Sequence, residues 1–282
     1  MESDLKPLLN GMFFDGMPPV DRPVYLFDNG IANRATTPEA DNLLLGTPGA
    51  TFAFRRVARD AIGVEKGMLQ NNWKLPPEFD AVEQPVVLDF EFHPSIDAMY
   101  SEQVEDAERA GAALRLAGHV LGMKEEAAFY GKTLLVGAYH PIRPYANDPA
   151  AMKAGERDWK PYLDSLDFAA PEAYLQSRDM QKWSKDTKFD LDRCARLMPG
   201  KPVYPVVTPF YMDRAPEAIR HKLIPMLYWK EMVGWLLGRK QVAGLVGWGG
   251  VKFRDNPDGS NRLPWADVEP HWTAAREAAE RN

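Results

Sequence analysis

An α/β fold, a distorted TIM-like (β/α) barrel of about seven to eight parallel strands, is what the sequence predicts, on three observations. Short apolar runs alternate with longer helical patterns through most of the chain. No Pro/Ser-rich linker divides the 282 residues, a length that one barrel of roughly 250 residues can occupy as a single unit. No G-x-G-x-x-G follows the first strand and no G-x-x-x-x-G-K-S/T loop occurs, so an open nucleotide-binding sheet lacks its signature and a closed sheet is favoured. The expected organisation is a leading arm over 1–22 and one catalytic barrel over 23–282.

The elements follow in order. Pro23–Asp28 (PVYLFD) is short, apolar and followed by Asn29-Gly30, a strand entering a turn. A second strand is expected at Ala50–Phe54. Val86–Phe92 is the third, and a long helix is expected from Ile96 to Tyr130, with Val104, Ala107, Gly111, Leu114 and Leu121 near the helical period and Gly131 ending it. Leu134–Tyr139 reads as a buried strand, Pro149–Leu163 as a helix, Asp167–Tyr174 as a strand and Met180–Met198 as a helix. In the strand Pro202–Thr208, Pro205 has no ladder donor and requires a bulge or a gap in pairing. The helix Pro216–Leu237 carries a stripe of Ile219, Leu223, Leu227, Val233 and Leu237, with a kink predicted at Pro225. Ala243–Trp248 is the last strand. Trp183, Trp229 and Trp235 fall in helical patterns and are assigned to packing.

Composition excludes several classes. A net charge of −6 without a lysine-rich run leaves no electrostatic footprint for nucleic acid. No stretch of about 18 apolar residues could span a bilayer, so no membrane partner is expected. The single cysteine, Cys194, rules out an intramolecular disulfide framework and a multi-cysteine metal site. The opening Met1-Glu-Ser-Asp lacks the order of a signal peptide; cytoplasm and export both stay open, since a signal could have been removed. Oligomeric state is not legible.

The sharpest chemical feature is Leu88-Asp89-Phe90-Glu91-Phe92-His93. Alternate residues of a strand share a face, so Asp89, Glu91 and His93 lie on one side and Leu88, Phe90 and Phe92 on the other. Two carboxylates at the carboxyl end of an apolar strand repel each other and are desolvated, and both effects raise a pKa toward what a general acid needs near neutral pH. The structural alternative pairs them with arginines or caps neighbouring loops.

From about Pro85 to Gly250 the sequence resembles the hyaluronidase family of glycoside hydrolases. The matching pieces, in the family's order, are Val87-Leu-Asp-Phe-Glu91, Gly137-Ala-Tyr-His-Pro141, Ala170-Pro-Glu-Ala-Tyr-Leu175, Pro202-Val-Tyr-Pro205 and Leu245-Val-Gly-Trp-Gly249. The resemblance implies hydrolysis of a polysaccharide or oligosaccharide, with Glu91 as general acid and base. Asp89 would orient and polarise the substrate's N-acetyl group, whose oxygen is the nucleophile. Tyr174 would hydrogen-bond near the developing oxazoline, Trp248 would floor the sugar ring, and Tyr139 would wall the cleft beside His93. The reading calls for no cofactor. Glu172, where the family has a small serine-containing segment, would allow an ordinary two-carboxylate mechanism on a neutral glycan instead. Arg55, Arg56 and Arg59 form the one basic patch that would suit an anionic polymer.

Two other classes remain open. A metal-dependent hydrolase or isomerase would use Asp89, His93 and His140, although no H-x-H or H-E-x-x-H occurs. A carbohydrate-binding barrel without catalysis would keep the fold and lose the activity.

Overall fold

A computed structural model of the chain describes residues 8–10, 25–28, 85–89, 105–129, 131, 133–139, 141, 156–212, 214–247 and 265–281. The expected strand at Ala50–Phe54, the basic patch and the first part of the expected long helix lie outside them. The chain divides into two compact units, one of residues 25–168 and one of residues 1–24 with 169–282.

In the first unit, β2 (Tyr25–Asp28), β3 (Pro85–Asp89) and β4 (Leu135–Tyr139) run parallel. β5 (Phe168–Ala170) completes the order β2-β3-β4-β5 and carries the chain out of the unit. The ladder pairs Leu26 with Val87 and Val87 with Gly137. Val87 and Leu88, on opposite faces of β3, are both fully buried, as expected of a parallel strand covered on both sides. Helix α1 (Asp106–Phe129) packs against β4 and against α2 (Lys160–Ser165). Its buried stripe is Ala112, Ala113, Leu116, Ala117, Val120 and Ala127, whereas Leu114 and Leu121 are 59% and 49% exposed. The period was legible and the phase was not: alanine and glycine all round the helix leave little contrast between faces. Buried Arg109 ties α1 to Asp158 at 3.3 Å.

In the second unit the order is β1-β7-β6, again parallel, from β1 (Leu8–Asn10), β6 (Val206–Val207) and β7 (Leu245–Gly247). β1 lies within the residues expected as a leading arm. Helix α3 (Met180–Leu197) is capped by Asp179, whose carboxylate accepts from the Lys182 amide at 2.8 Å. Helix α4 (Met226–Leu237) begins after Pro225, which is its N-cap. Pro225 therefore starts the helix instead of kinking it; the preceding residues turn, with His221 at φ 60°. Trp229, Met232, Val233, Leu236 and Leu237 form the buried face of α4, while Leu227 is 74% exposed. Helix α5 (Trp265–Arg281) packs on α4, where the Trp229 and Trp272 rings meet edge to face at 5.5 Å. Trp183 and Trp229 are core residues as expected; Trp235 is half-buried under the Arg239 guanidinium.

The predicted seven- to eight-stranded TIM-like barrel is not formed. Among the described residues the strands make one sheet of three and one of four, and neither closes. The backbone chemistry of the β5–β6 region explains why. Pro171, Pro202 and Pro205 supply no amide hydrogen, so pairing there shrinks to isolated bridges, Ala169 with Val203 and Glu172 with Val206. The gap anticipated at Pro205 is present, between the bridge at Val203 and the strand at Val206.

Candidate active site

The carboxyl edge of the β2-β3-β4 ladder is built by register. Val87 is the register partner of Gly137 on one side and of Leu26 on the other. Gly137 is needed there: a Cβ at this position would stand 2.2 Å from the buried Phe168 ring, which occupies the space a side chain would fill. Two residues further along the three strands come Asp28, Asp89 and Tyr139. Asp28 and Asp89 are themselves register partners and end their strands. These residues stand toward the carboxyl ends of parallel strands, where α/β sheets bind ligands. Tyr139 is half-buried and engaged in further interactions.

The start of β5 is locked to β4. The Asp167 amide donates to the Val136 carbonyl at 2.7 Å, while its carboxylate accepts from the Val136 amide at 2.8 Å and from Lys124 Nζ at 2.8 Å. Lys124 also donates to the Ser165 carbonyl at 2.6 Å.

In the other unit, the segment after β5 is pinned on both sides of Glu172. The Val206 amide donates to the Pro171 carbonyl at 2.8 Å and the Ala173 amide to the Val206 carbonyl at 3.0 Å. The Trp183 indole N–H donates to the Ala173 carbonyl at 3.1 Å. Tyr174 is buried at 8% exposure. Glu172 is half-buried and accepts from Gln176 Nε2 at 3.2 Å. Its charge reaches Asp190 on α3, whose pKa is pushed up to about 6, mainly by burial; Arg193 opposes the rise, and Glu172 and Asp186 add to it. Burial likewise pushes the Cys194 thiol up to about 12, which makes it an inert core group.

The ladder thus brings Asp89 and Tyr139 to one edge. Glu172 and Tyr174 follow β5 in the second unit. Glu91, His93, His140 and Trp248 lie outside the described residues. Sequence reasoning missed three features: Asp28, the hydrogen bond from Gln176 to Glu172, and Asp190. Asp28 had a signal, since its strand ends Leu-Phe-Asp and the next ends Val-Leu-Asp.

No protein family's sequence profile and no curated protein matches the chain. Solved structures do. The chain bears a distant structural resemblance to bee venom hyaluronidase. Against its monoclinic crystal structure the TM-score is 0.49 at 14% identity, covering 81% of this chain and 80% of that one. Against the bee venom enzyme in complex with a hyaluronic acid tetramer the TM-score is 0.45 at 14% identity, covering 70% and 69%. No helix among the described residues is long and apolar enough to cross a membrane.

Proposed function

We propose that this chain is a glycoside hydrolase acting on a polysaccharide or oligosaccharide. The observation that carries the reading is the position of Asp89: it stands at the carboxyl end of β3 in a parallel sheet, as the first member of a D-x-E. The five ordered sequence pieces that resemble the hyaluronidase family support the same reading.

In this reading Glu91 protonates the glycosidic oxygen and then, as a base, activates the water that completes hydrolysis. Asp89 orients the acetamido group of an N-acetylhexosamine so that its carbonyl oxygen attacks the anomeric carbon as the leaving group departs, forming an oxazoline that water opens. The roles that the motifs assign are a hydrogen bond to that group for Tyr174, a platform for Trp248, cleft walls for Tyr139 and His93, and a neighbouring carboxylate for Glu172. The alternative using Glu172 as the second carboxylate would act on a neutral glycan.

The test compares wild type with Glu91→Gln on N-acetylhexosamine polymers and neutral glycans. Hydrolysis by the wild type, lowered about 10²- to 10⁴-fold in the variant, is the expected result. Glycan binding without hydrolysis by either protein would make this a carbohydrate-binding protein. A stoichiometric bound metal in the purified protein would favour the metal-dependent alternative.

A further inference from the structure

Helices α4 and α5 are joined through His271, which is 6% exposed. Its Nε2 lies 2.8 Å from the Ile224 carbonyl oxygen, and its own backbone carbonyl accepts from the Trp229 indole N–H at 2.5 Å. A carbonyl only accepts, so in the neutral ring Nε2 carries the hydrogen and Nδ1 is bare. Nδ1 is buried and has no hydrogen-bond partner among the described residues. The Trp229 ring meets the imidazole edge to face at 5.8 Å. Ile224 precedes Pro225, the N-cap of α4, and its amide donates to the Pro209 carbonyl at 2.8 Å. The residue that His271 holds is therefore also tied to the segment leaving β6. Pro270, directly before His271, has no amide hydrogen and omits one bond of α5 at this place.

A proton taken up by this ring goes to Nδ1 and makes a buried cation whose new N–H meets no acceptor. The elements packed on α5 offer little to offset it. β1 has no titratable residue, α4 has Tyr228, Lys230 and Glu231, and the turn before α4 has Arg220, His221 and Lys222. Lys230 lines a surface groove with Glu269 and Glu277 of α5, and Glu231, Arg220 and Lys222 are exposed, as are Asp267 and Arg276 on α5 itself. Of the half-buried pair, Tyr228 is a phenol, uncharged in acid, and a protonated His221 would have the same sign as the new cation. Burial lowers the His271 pKa, against the opposing pull of the Ile224 bond. We infer that His271 is an acid-sensitive latch: neutral, it closes α5 onto α4; protonated, it releases α5 and with it the hold on Ile224 beside the exit of β6. The latch acts whatever the substrate is. The opened helix takes up a proton below the ordinary histidine pKa of about 6.5, while the closed interface excludes it, so closure weakens as pH falls from that value toward the lowered one.

The experiment is hydrogen exchange of the full-length chain, read by mass spectrometry as protection factors at pH 7 and pH 5. Peptides of α5 are compared with peptides of α3 in wild type, His271→Gln and His221→Gln. Glutamine keeps an N–H that can reach the Ile224 carbonyl and takes up no proton in this range. In the wild type, α5 should lose about tenfold of its protection relative to α3 between pH 7 and pH 5. His221→Gln should lose as much, and His271→Gln should change less than about twofold. Wild-type protection of α5 that holds at pH 5 would overturn the latch, and so would an equal loss in His271→Gln or a loss abolished by His221→Gln. Should His271→Gln fold poorly, the wild type still decides: the His271 ring-proton signal, assigned by NMR through glutamine exchange at the other four histidines, should titrate below about 6.5, and a midpoint at or above that value would overturn the latch.

Discussion

Asp167 and Val136 exchange hydrogen bonds in both directions: the amide of Asp167 reaches the carbonyl of Val136 at 2.7 Å, and the amide of Val136 reaches the carboxylate of Asp167 at 2.8 Å. Lys124 completes the clamp from α1, at 2.8 Å from the other carboxylate oxygen. A side chain thereby supplies a ladder bond where β5 has not yet begun. Asp167→Ala leaves the Val136 amide without its partner and releases Lys124, and should cost about 2–3 kcal/mol. Lys124→Met removes that half-exposed ion pair and the bond to the Ser165 carbonyl, and should cost about 1 kcal/mol. Urea denaturation of both single variants and the double variant checks this; equal costs would show that the carboxylate serves Lys124 and not the strand.

The layer beneath the candidate site has little tolerance. A methyl group at Gly137 would stand 2.2 Å from the Phe168 ring, which is 2% exposed and has little room to retreat. Gly137→Ala should therefore destabilise the protein by about 2 kcal/mol, in the range of core overpacking. In a Phe168→Leu background the same substitution should cost less, because the shorter side chain vacates the contact. An equal cost in both backgrounds would place the strain elsewhere. Gly247 repeats the arrangement in the other unit, where a methyl group would stand 2.4 Å from the Trp272 ring.

How far the sequence could be read depended on contrast. Helix α3 was legible to within one residue at its ends because Asp179 caps it and charged residues alternate with buried Trp183, Leu191 and Cys194. Helix α1 was misread in phase because Ala112 and Ala113 bury as readily as the leucines that stayed outside. Strand existence was legible from apolar runs, and closure was not. Whether Val203 and Val206 extend one ladder depends on amides that Pro202 and Pro205 lack, and on partners far away in the chain. That Asp28 stands opposite Asp89 needed register, which a single strand does not contain.

Asp190 should give the protein a distinctive pH dependence. Burial, with Glu172 and Asp186, holds its pKa near about 6 in the folded chain, above the ordinary carboxylate value. Between about pH 4 and 6 the folded state keeps a proton that the unfolded chain has lost, so this group's contribution to stability falls as pH rises through that window and is level above it. Asp190→Asn should remove the slope and raise stability at pH 7 by about 1 kcal/mol, a figure reduced for partial exposure and for the lost attraction to Arg193. Urea midpoints at several pH values decide it; a variant whose stability tracks that of the wild type from pH 4 to 7 would show that Asp190 ionises as an ordinary surface carboxylate.

Glu172 joins the stability argument to the chemical one. It accepts from Gln176 and raises the pKa of Asp190, so Glu172→Gln should move the Asp190 window to lower pH. That shift is expected whichever mechanism operates. Activity separates the mechanisms: with the substrate's own N-acetyl oxygen as nucleophile, Glu172→Gln should keep kcat within about threefold of wild type, because no step uses its charge. A loss of about 10²- to 10⁴-fold would make Glu172 the second carboxylate and turn the substrate toward a neutral glycan. Measuring both quantities on one variant guards against misfolding, since an Asp190 window displaced as expected shows that α3 and the β5 exit are intact while the rate is read.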